Sequence, residues 1–257
     1  MRILVALKPT YDVSQLKFDS EGVPLLDTCP VTLGEADKCA LEEALKVKES
    51  KGATVVAVTV GQSEAHIKGI RDALAMGADE GYVIKLKNAW NLSSITVANA
   101  IARFAGLSGP YDIVFTGSGA GDTHSSTIGP MVSALLGFRL VANADKVEVN
   151  ENKATAKCTM EDGTYNYEVE FPAVITVTSE ANEPRIPTLK AILRSKNMPV
   201  KEIEPDVLGL SAEEYKDLKV IKHMVERKRV ILEANDQKSA EESVVKLLSF
   251  LKDDGVI

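Results

Sequence analysis

The segment TVVAVTVGQSEAHIKGIRDALAMGADEGYVIKL, residues 54–86, decides the fold class. It begins with seven apolar or β-branched residues, which are typical of a buried strand. Ile67, Ile70 and Leu74 then recur at helical spacing, and residues 81–86 form a second apolar run. A strand, a helix and another strand in this order, with strands that are apolar throughout, predict a parallel sheet covered by helices on both faces.

The same alternation continues on both sides of this unit. Apolar runs that indicate strands again alternate with segments whose apolar residues recur at helical spacing. The chain is therefore predicted to form an α/β domain with a parallel, Rossmann-like sheet. The additional elements are strands 2–8 and 111–116 and helices 35–51, 93–105 and 126–136.

The pattern changes after Gly137. Residues 145–149, 154–159 and 165–171 alternate between apolar and polar with a period of two, and turn-forming residues separate them. Such segments are typical of short antiparallel strands. We therefore assign residues 139–171 to a small antiparallel extension. The apolar run after it, PAVITVT at 172–178, is expected to return to the main sheet.

The region after residue 198 differs from the α/β pattern. Residues 199–257 are rich in polar residues, and the sequence predicts helices at 211–218, 220–230 and 239–252 but no further sheet. We expect an α/β domain at 1–198 followed by an extended and helical C-terminal arm. Helices with apolar faces and no sheet of their own must pack against another surface. That surface could belong either to the α/β domain of the same chain or to a partner subunit.

Composition argues against several classes of protein. The net charge of −7 over 257 residues is unlike the basic surface that nucleic-acid binding requires. No stretch is apolar for long enough to span a bilayer. The three cysteines and three histidines lack the close spacing of a disulfide framework or a metal cluster. We therefore expect a cytoplasmic protein without a metal site, without membrane insertion and without a nucleic-acid partner.

The loop GSGAGDTHSSTIGP, residues 117–130, is the strongest candidate for a binding site. It follows a predicted strand and precedes a predicted helix, so its N–H groups and the helix dipole favour an anion. Small residues let a ligand approach the backbone, and Ser125, Ser126 and Thr127 add hydroxyl groups. The loop is neither a Walker motif nor G-x-G-x-x-G. Its position after a parallel strand nevertheless predicts a phosphate-binding cradle.

Other residues are weaker candidates for chemistry. His124 has the residue type of a general base, but a role as a polar loop residue, or as a hydrogen-bond partner of a ligand, is expected instead. Glu42 and Glu43 point about 100° apart on a helix, so a solvated helix face is the expected role for both. Cys39 lies on the apolar side of the same helix and is expected in the core. No catalytic residue is assigned.

The segment SEANEPRIPTLKAILRSK, residues 179–196, follows the last predicted strand and is rich in charged residues and proline. Pro184 and Pro187 fix φ and prevent a helix from starting before them. The sequence therefore predicts a stiff, charged loop that presents Leu189 at the start of a short basic helix.

Several of these segments together resemble the beta subunit of the electron transfer flavoproteins. The segment of residues 58–84 resembles the family's Val-x-x-Gly strand end followed by a helix of the pattern Leu/Ile-Arg-x-Ala-Leu-Ala-Met-Gly-Ala-Asp. The loop ANEPRIPTLKAILRSK resembles the family's recognition loop almost residue for residue. The resemblance keeps its register from residue 1 to about residue 209. The other matching segments are 3–12, 37–49 and 161–163 followed by PAVITV.

The resemblance implies an adenine-nucleotide-hydrolase-like fold and an electron-carrying role rather than an enzyme with its own substrate. It implies a heterodimer with an alpha subunit that carries FAD, on which the arm 199–257 would pack. Flavin dehydrogenases, such as the acyl-CoA dehydrogenases of fatty acid oxidation, would donate electrons. A quinone oxidoreductase or a ferredoxin-linked acceptor would receive them. In most members the beta subunit holds AMP, and in electron-bifurcating members it holds a second FAD.

The resemblance also supplies two sets of site residues. Docking of the partner dehydrogenase is implied for Leu189 and its neighbours Arg185, Pro187 and Lys190. The implied nucleotide-binding residues are Ala6, Asp37, Val60, Gly117, Ser118, Gly119, Ala120, Gly121, Asp122, Thr123, His124, Ser125, Ser126, Thr127 and Gly129.

The sequence departs from the family pattern at several of these positions. Gly34-Glu35 replaces the family's Asn-Pro, and His124 and Ser126-Thr127 match neither type of nucleotide loop. The ending Ile128-Gly129-Pro130 resembles the Val-Gly-Pro of bifurcating members and favours a second FAD, while AMP stays open. The alternative outside this family is a stand-alone ATP-binding α/β protein of the universal-stress type.

Overall fold

Twelve strands and six α-helices are present in the computed structural model, which describes residues 1–19, 22–87, 92–210 and 229–257. The strands are Arg2–Ala6 (β1), Pro9–Tyr11 (β2), Val31–Leu33 (β3), Thr54–Val60 (β4), Glu80–Ile84 (β5), Ile113–Gly117 (β6), Arg139–Ala144 (β7), Lys146–Val149 (β8), Lys153–Met160 (β9), Gly163–Glu170 (β10), Ala173–Val177 (β11) and Val200–Ile203 (β12). The helices are Glu35–Lys51 (α1), Glu64–Met76 (α2), Ser94–Ser108 (α3), Ile128–Leu136 (α4), Leu189–Asn197 (α5) and Gln237–Asp253 (α6).

Seven of the strands form one parallel sheet in the order β12-β5-β4-β1-β6-β11-β7. Every neighbouring pair in it is parallel, as the continuously apolar strands predict. The predicted α/β fold class is therefore confirmed, and β11 enters the main sheet as expected. Strand β1 is shorter than predicted, because the chain leaves the sheet after Ala6 and forms a separate two-stranded pair, β2 with β3.

Both faces of the sheet are buried at its central strands β4, β1, β6 and β11, which explains why these strands are almost entirely apolar. Successive residues of a strand point to opposite faces. Ile3 packs in the cluster formed with helices α1 and α2, while Leu4 packs in the cluster formed with α3 and α4. The sheet thus lies between two helical layers, and the ends of its strands are the part of the sheet that can line a binding site.

The order of the strands places a crevice at the carboxyl ends of the central strands. The chain runs from β1 to β4 and β5 on one side and then crosses to β6 on the other side of β1. Parallel α/β sheets bind ligands at such a switch point, because the connections on either side leave in opposite directions.

The small antiparallel sheet differs from the predicted extension at one boundary. Strands β8, β9 and β10 form it in the order β10-β9-β8, as the alternating pattern predicts. Residues 139–144, however, form β7, which is parallel to β11 in the main sheet. The extension therefore begins after Ala144, because Val141 and Ala144 are buried in the main core.

The α/β domain also extends beyond the predicted end at residue 198. Strand β12 pairs with β5, and Leu208 and Leu210 are buried in the core with α3. Residues 200–210 therefore belong to the domain and not to the arm. The chain divides into compact units at Met1–Ile221 and Lys222–Ile257. The predicted helix 211–218, and the predicted helix 220–230 up to residue 228, lie outside the described residues.

The described part of the second unit consists mainly of α6, which the sequence predicts at 239–252. Asp236 and Ser239 form a capping box at its start. Several apolar side chains of this helix are exposed, including Val244, Val245, Leu247 and Leu248. Within the described residues, no helix combines the length and hydropathy needed to cross a bilayer.

Candidate functional site

A cavity of about 260 Å³ lies where the carboxyl ends of β1, β4 and β6 meet. Ala6, Leu7 and Lys8 line it from the end of β1, and Thr59 and Val60 from the end of β4. The loop after β6 forms another wall, and α3 contributes apolar side chains. The cavity therefore occupies the switch point of the sheet, where the topology predicts a ligand.

Asp37, on the first turn of α1, ties two of these strand ends together. One carboxylate oxygen accepts the N–H of Lys8 at 2.7 Å, and the other accepts the N–H of Gly117 at 3.1 Å. Burial of the carboxyl group raises its pKa to about 6, against an ordinary value of 3.8, although these two hydrogen bonds act in the opposite direction. Asp37 thus fixes the distance between β1 and β6 at the cavity.

We expect Asp37→Asn to change how stability depends on pH. The pKa of Asp37 in the folded state, about 6, lies above its ordinary 3.8. Folding therefore takes up a proton between these values, and the resulting stabilisation is present below 3.8 and lost as pH rises through 6. The free energy of unfolding of the wild type relative to Asp37→Asn should rise by about 1 kcal/mol from pH 7 to pH 5. Urea denaturation at both pH values measures it, and a difference that stays constant would contradict the assignment.

The glycine-rich loop has an unusual backbone. His124 and Ser126 both adopt positive φ, 45° and 50°, and the His124 N–H donates to the Ala120 carbonyl at 2.8 Å. Within the described part of the chain, the N–H groups of Ser125, Ser126 and Thr127 make no hydrogen bond. A run of turn residues with unpaired N–H groups before a helix is the arrangement that binds anions.

Gly129 lets the first turn of α4 approach the sheet closely. A β-carbon at this position would overlap the Thr176 methyl group and approach the Thr116 hydroxyl to 2.9 Å. The glycine therefore serves close packing between α4 and the ends of β6 and β11. Its role is to hold the helix N-terminus next to the cavity rather than to line the cavity itself.

Two buried hydroxyl groups at the cavity make no hydrogen bond. The Oγ1 atoms of Thr59 and Thr127 are inaccessible to solvent and have no partner among the described residues, and both residues line the cavity. The Thr59 side chain is particularly informative, since this residue is only 2% exposed. A buried polar group without a partner is costly, and a polar ligand in the cavity would supply the missing hydrogen bonds.

The structure places most of the predicted nucleotide residues around this cavity. Gly121, Asp122, His124 and Gly129 do not line it, although Asp122 contacts Lys8, which does. A binding role for each of these residues stays a prediction. The predicted residues that line the cavity are Ala6, Asp37, Val60, Gly117, Ser118, Gly119, Ala120, Thr123, Ser125, Ser126 and Thr127.

Other lining residues were missing from the sequence prediction. Most of them lie at strand ends, on α2, or in and just before α3, and the strand order brings these distant residues to the glycine-rich loop. Thr116 directly precedes that loop and Ile128 lies within it. The additional residues are Leu7, Lys8, Thr59, His66, Leu92, Ser94, Val97, Ile101, Thr116 and Ile128.

His66 is held as a neutral ring at the cavity wall. Its side chain is buried, and its Nδ1 atom lies 2.7 Å from the Ser63 hydroxyl. Burial, together with the charge of Lys8, lowers its pKa to about 4. The ring therefore contributes no positive charge to the cavity near neutral pH. Among the described residues, no group of histidine, cysteine and carboxylate side chains could hold a metal ion.

The loop before α5 is fastened to α1 by an ion pair. The Arg185 guanidinium donates to both carboxylate oxygens of Glu42, with Nε–Oε2 and Nη2–Oε1 distances of 2.8 Å, and its backbone N–H donates to Oε2 at 3.1 Å. Glu49 accepts a further bond from Nη1. The expectation of a solvated helix face at Glu42 is therefore wrong, because this loop covers it.

A second group of contacts fixes the start of the same loop. Asn182 donates through Nδ2 to the Glu43 carboxylate at 2.8 Å and to the Cys39 carbonyl at 3.0 Å. Glu43 is only 4% exposed, so it too lies away from solvent, contrary to expectation. Cys39 is buried as predicted, and its thiol lies 3.4 Å from the Asn182 carbonyl.

Helix α5 is held at its C-terminal end by α2. The Arg71 guanidinium donates to the carbonyl groups of Ser195 and Lys196, both at 3.0 Å, which are among the acceptors that a helix end leaves unpaired. Thr188 caps the other end by accepting the N–H of Ala191. A short helix of nine residues is thus fixed at both ends.

The outer side of this fixed segment is apolar and exposed. Ile186 is 92% exposed and Leu189 is 73% exposed, and Leu193 follows one turn later on α5. Lys190 is exposed beside them, whereas Arg185 is engaged by Glu42 and Glu49. The surface formed by Ile186, Leu189 and Leu193 is here called the α5 apolar surface.

A family model and individual relatives assign this chain to the same family. The sequence model of the electron transfer flavoprotein domain matches residues 28–208. The chain belongs to the electron transfer flavoprotein family, as a beta subunit. The electron transfer flavoprotein subunit beta of Thermoanaerobacterium thermosaccharolyticum is 31% identical, over 97% of this chain and 98% of that protein.

Two further relatives extend this comparison. The subunit beta of Bacillus subtilis is 29% identical over 98% of this chain and 99% of that protein. Acetobacterium woodii contributes the caffeyl-CoA reductase-Etf complex subunit CarD, 30% identical over 83% of this chain and 82% of that protein. The domain match includes both the glycine-rich loop and the loop fastened by Arg185.

In this electron transfer flavoprotein beta subunit, we expect Glu42→Gln to destabilise the fold by about 2 kcal/mol, because the Arg185 hydrogen bonds lose their charged acceptor. Burial raises the pKa of Glu42, but the bonds and charge of Arg185 outweigh it and lower the pKa overall. This stabilisation is present above the ordinary pKa of 4.5 and is lost as pH falls through the lowered value. Urea denaturation at pH 7 measures the effect.

The matched control for this variant is Glu183→Gln. Glu183 lies on the same loop and is exposed, so its replacement should change the free energy of unfolding by less than about 0.5 kcal/mol. Equal stability of the two variants at pH 7 would show that the Glu42–Arg185 pair does not hold the loop.

Proposed function

We propose that this chain pairs with an alpha subunit that carries FAD, and that its cavity binds the adenylate part of AMP or of a second FAD. The family supports an electron-transfer role. The lining of the cavity supports nucleotide binding, because it includes both loop residues with unpaired N–H groups and apolar side chains. The chain would then be a carrier subunit rather than an enzyme with its own substrate.

The unpartnered hydroxyl groups of Thr59 and Thr127 carry this proposal. Each needs a polar partner that the described residues do not supply. Ribose hydroxyls and phosphate oxygens are such partners, and the N–H groups of Ser125 and Ser126 suit phosphate. Val97 and Ile101 offer an apolar surface for the adenine ring. The residues present therefore fit an adenylate group.

The nucleotide and this chain would have separate tasks. A bound flavin supplies the redox chemistry. The lining residues contribute orientation and exclusion of water, since the described groups around the cavity include a neutral histidine and a buried carboxylate that is bonded to backbone N–H groups. We assign no acid–base step to either group.

Our choice between AMP and a second FAD rests on the sequence at the start of α4. Ile128-Gly129-Pro130 resembles the ending of electron-bifurcating members and favours FAD. The CarD relative is described as part of a caffeyl-CoA reductase complex. We therefore propose a flavin dehydrogenase that acts on an acyl-CoA thioester as the redox partner. A quinone oxidoreductase or a ferredoxin-linked protein would be the second partner.

The C-terminal arm would contribute to the subunit interface. The exposed apolar side chains of α6, such as Val245 and Leu248, support packing on the alpha subunit. All three cysteines of the chain are free thiols, and we propose a cytoplasmic location on that basis.

The deciding experiment is to purify the chain together with its alpha subunit and to count the bound nucleotides. Two flavins per heterodimer would establish the second FAD, and one flavin with one AMP released on denaturation would establish the AMP form. A colourless chain that purifies alone and hydrolyses ATP would overturn the proposal in favour of a universal-stress-type protein.

A further inference from the structure

The cavity contains a single positively charged lining residue among those described. Lys8 lines it, whereas His66 is neutral and the glycine-rich loop contributes no basic side chain apart from His124, which does not line it. The sequence pattern gave no reason to select Lys8, since it simply follows the first strand. A phosphate group in this cavity would therefore meet one ammonium group.

Both ends of Lys8 are fixed. Its backbone N–H donates to Asp37 at 2.7 Å. Its Nζ atom lies 2.7 Å from the Asp122 carboxylate and 3.4 Å from the Thr123 hydroxyl. The ammonium group is thereby held beside the loop whose N–H groups are unpaired. It has three N–H donors, and these two acceptors leave one for a ligand.

Stability alone does not account for this ion pair. The Lys8 side chain is 37% exposed, and a pair with so much solvent access contributes little to folding. The Asp122 side chain, by contrast, is only 11% exposed, so the pair orients the ammonium group at the mouth of the cavity. Orientation of a charge toward a ligand is a better explanation than stabilisation of the fold.

We infer that Lys8 is the phosphate-binding cation of the cavity and that Asp122 positions it, so that Lys8 sets the preference for a phosphorylated nucleotide over a nucleoside. The inference rests on the proposed nucleotide site. A charge-assisted hydrogen bond to phosphate is stronger than a neutral one, whereas adenosine offers no charge at this position. Lys8 thus adds to affinity only when a phosphate is present.

The test compares AMP with adenosine by titration calorimetry on the heterodimer freed of nucleotide. We expect Lys8→Gln to weaken AMP binding at least about tenfold and adenosine binding less than about threefold. Lys8→Arg should keep the preference for AMP, since it keeps the charge. Lys48→Gln is the matched control, because Lys48 forms an ion pair of 2.6 Å with Asp79 outside the cavity.

Each outcome decides the inference. A selective loss of AMP affinity in Lys8→Gln, absent from Lys8→Arg and Lys48→Gln, supports it. Unchanged AMP affinity in Lys8→Gln overturns it. An equal loss of affinity for AMP and for adenosine also overturns it, because Lys8 would then have a purely structural role. If the wild type binds neither ligand, the proposed nucleotide site itself fails, and this result is distinguishable from a fault in Lys8 alone.

Discussion

Replacing Gly117 by alanine is expected to abolish retention of the proposed nucleotide and to lower the free energy of unfolding by about 3 kcal/mol. A β-carbon at this position would overlap the Asp37 carboxylate and lie 2.9 Å from the Asp37 backbone nitrogen. The carboxylate cannot move aside freely, because it accepts the N–H groups of Lys8 and Gly117. The added methyl group would therefore separate β6 from α1 at the cavity.

Gly106→Ala is the matched control for this variant. Gly106 lies on α3 away from the cavity, and a β-carbon there would meet no atom within 4 Å. Alanine also favours a helix interior over glycine, so this variant should be as stable as the wild type or slightly more stable. Nucleotide content after purification and urea denaturation measure both variants. Full nucleotide content in Gly117→Ala would show that contact with Asp37 does not shape the site.

The sequence is sufficient to predict the layers of the fold and one wall of the site. Burial on both faces leaves the central strands of the sheet almost entirely apolar, and that property is visible without coordinates. The glycine-rich loop is equally visible, because small residues between a strand and a helix form a local pattern. Both signals arise from residues that are close together in the sequence.

The other walls of the cavity depend on contacts between distant residues. Thr59 occurs in a run of β-branched residues and fits a strand interior as well as a ligand site. Lys8 looks like an ordinary charged residue after a strand. Only the order of β4, β1 and β6 brings these two residues next to the loop. Strand order does not follow from periodicity, so these residues could not be assigned.

The contacts that hold the loop before α5 could not be predicted for a similar reason. Glu42 and Arg185 are 143 positions apart, and helical geometry alone puts Glu42 on a polar face. The loop that covers this face is stiff and charged, which the sequence predicts, but its acceptors are not encoded locally. The structure shows the Arg185 side chain bonded to Glu42 and Glu49 and 31% exposed, and the docking role that the resemblance implies for it stays a prediction.

The contacts that hold this loop are the physical basis for the effect that we expect from Leu189→Ala. Leu189 is 73% exposed on a segment fixed by Glu42, Thr188 and Arg71, so little conformational freedom would be lost when a partner binds it. Loss of a leucine that anchors an interface costs about 2 kcal/mol, or about 30-fold in affinity. We expect electron transfer from the partner dehydrogenase to fall about 30-fold at low protein concentration, with flavin content unchanged.

The comparison with Leu107→Ala separates a docking role from a general loss of apolar surface. Leu107 is 59% exposed on α3, so the two substitutions remove the same side chain from similarly exposed helix positions. Because alanine is a good helix former, neither variant should lose its helix. If docking depends on the α5 apolar surface, only Leu189→Ala raises the concentration needed for half-maximal turnover. Equal turnover by both variants would mean that the fixed segment serves the fold alone and that the dehydrogenase binds elsewhere.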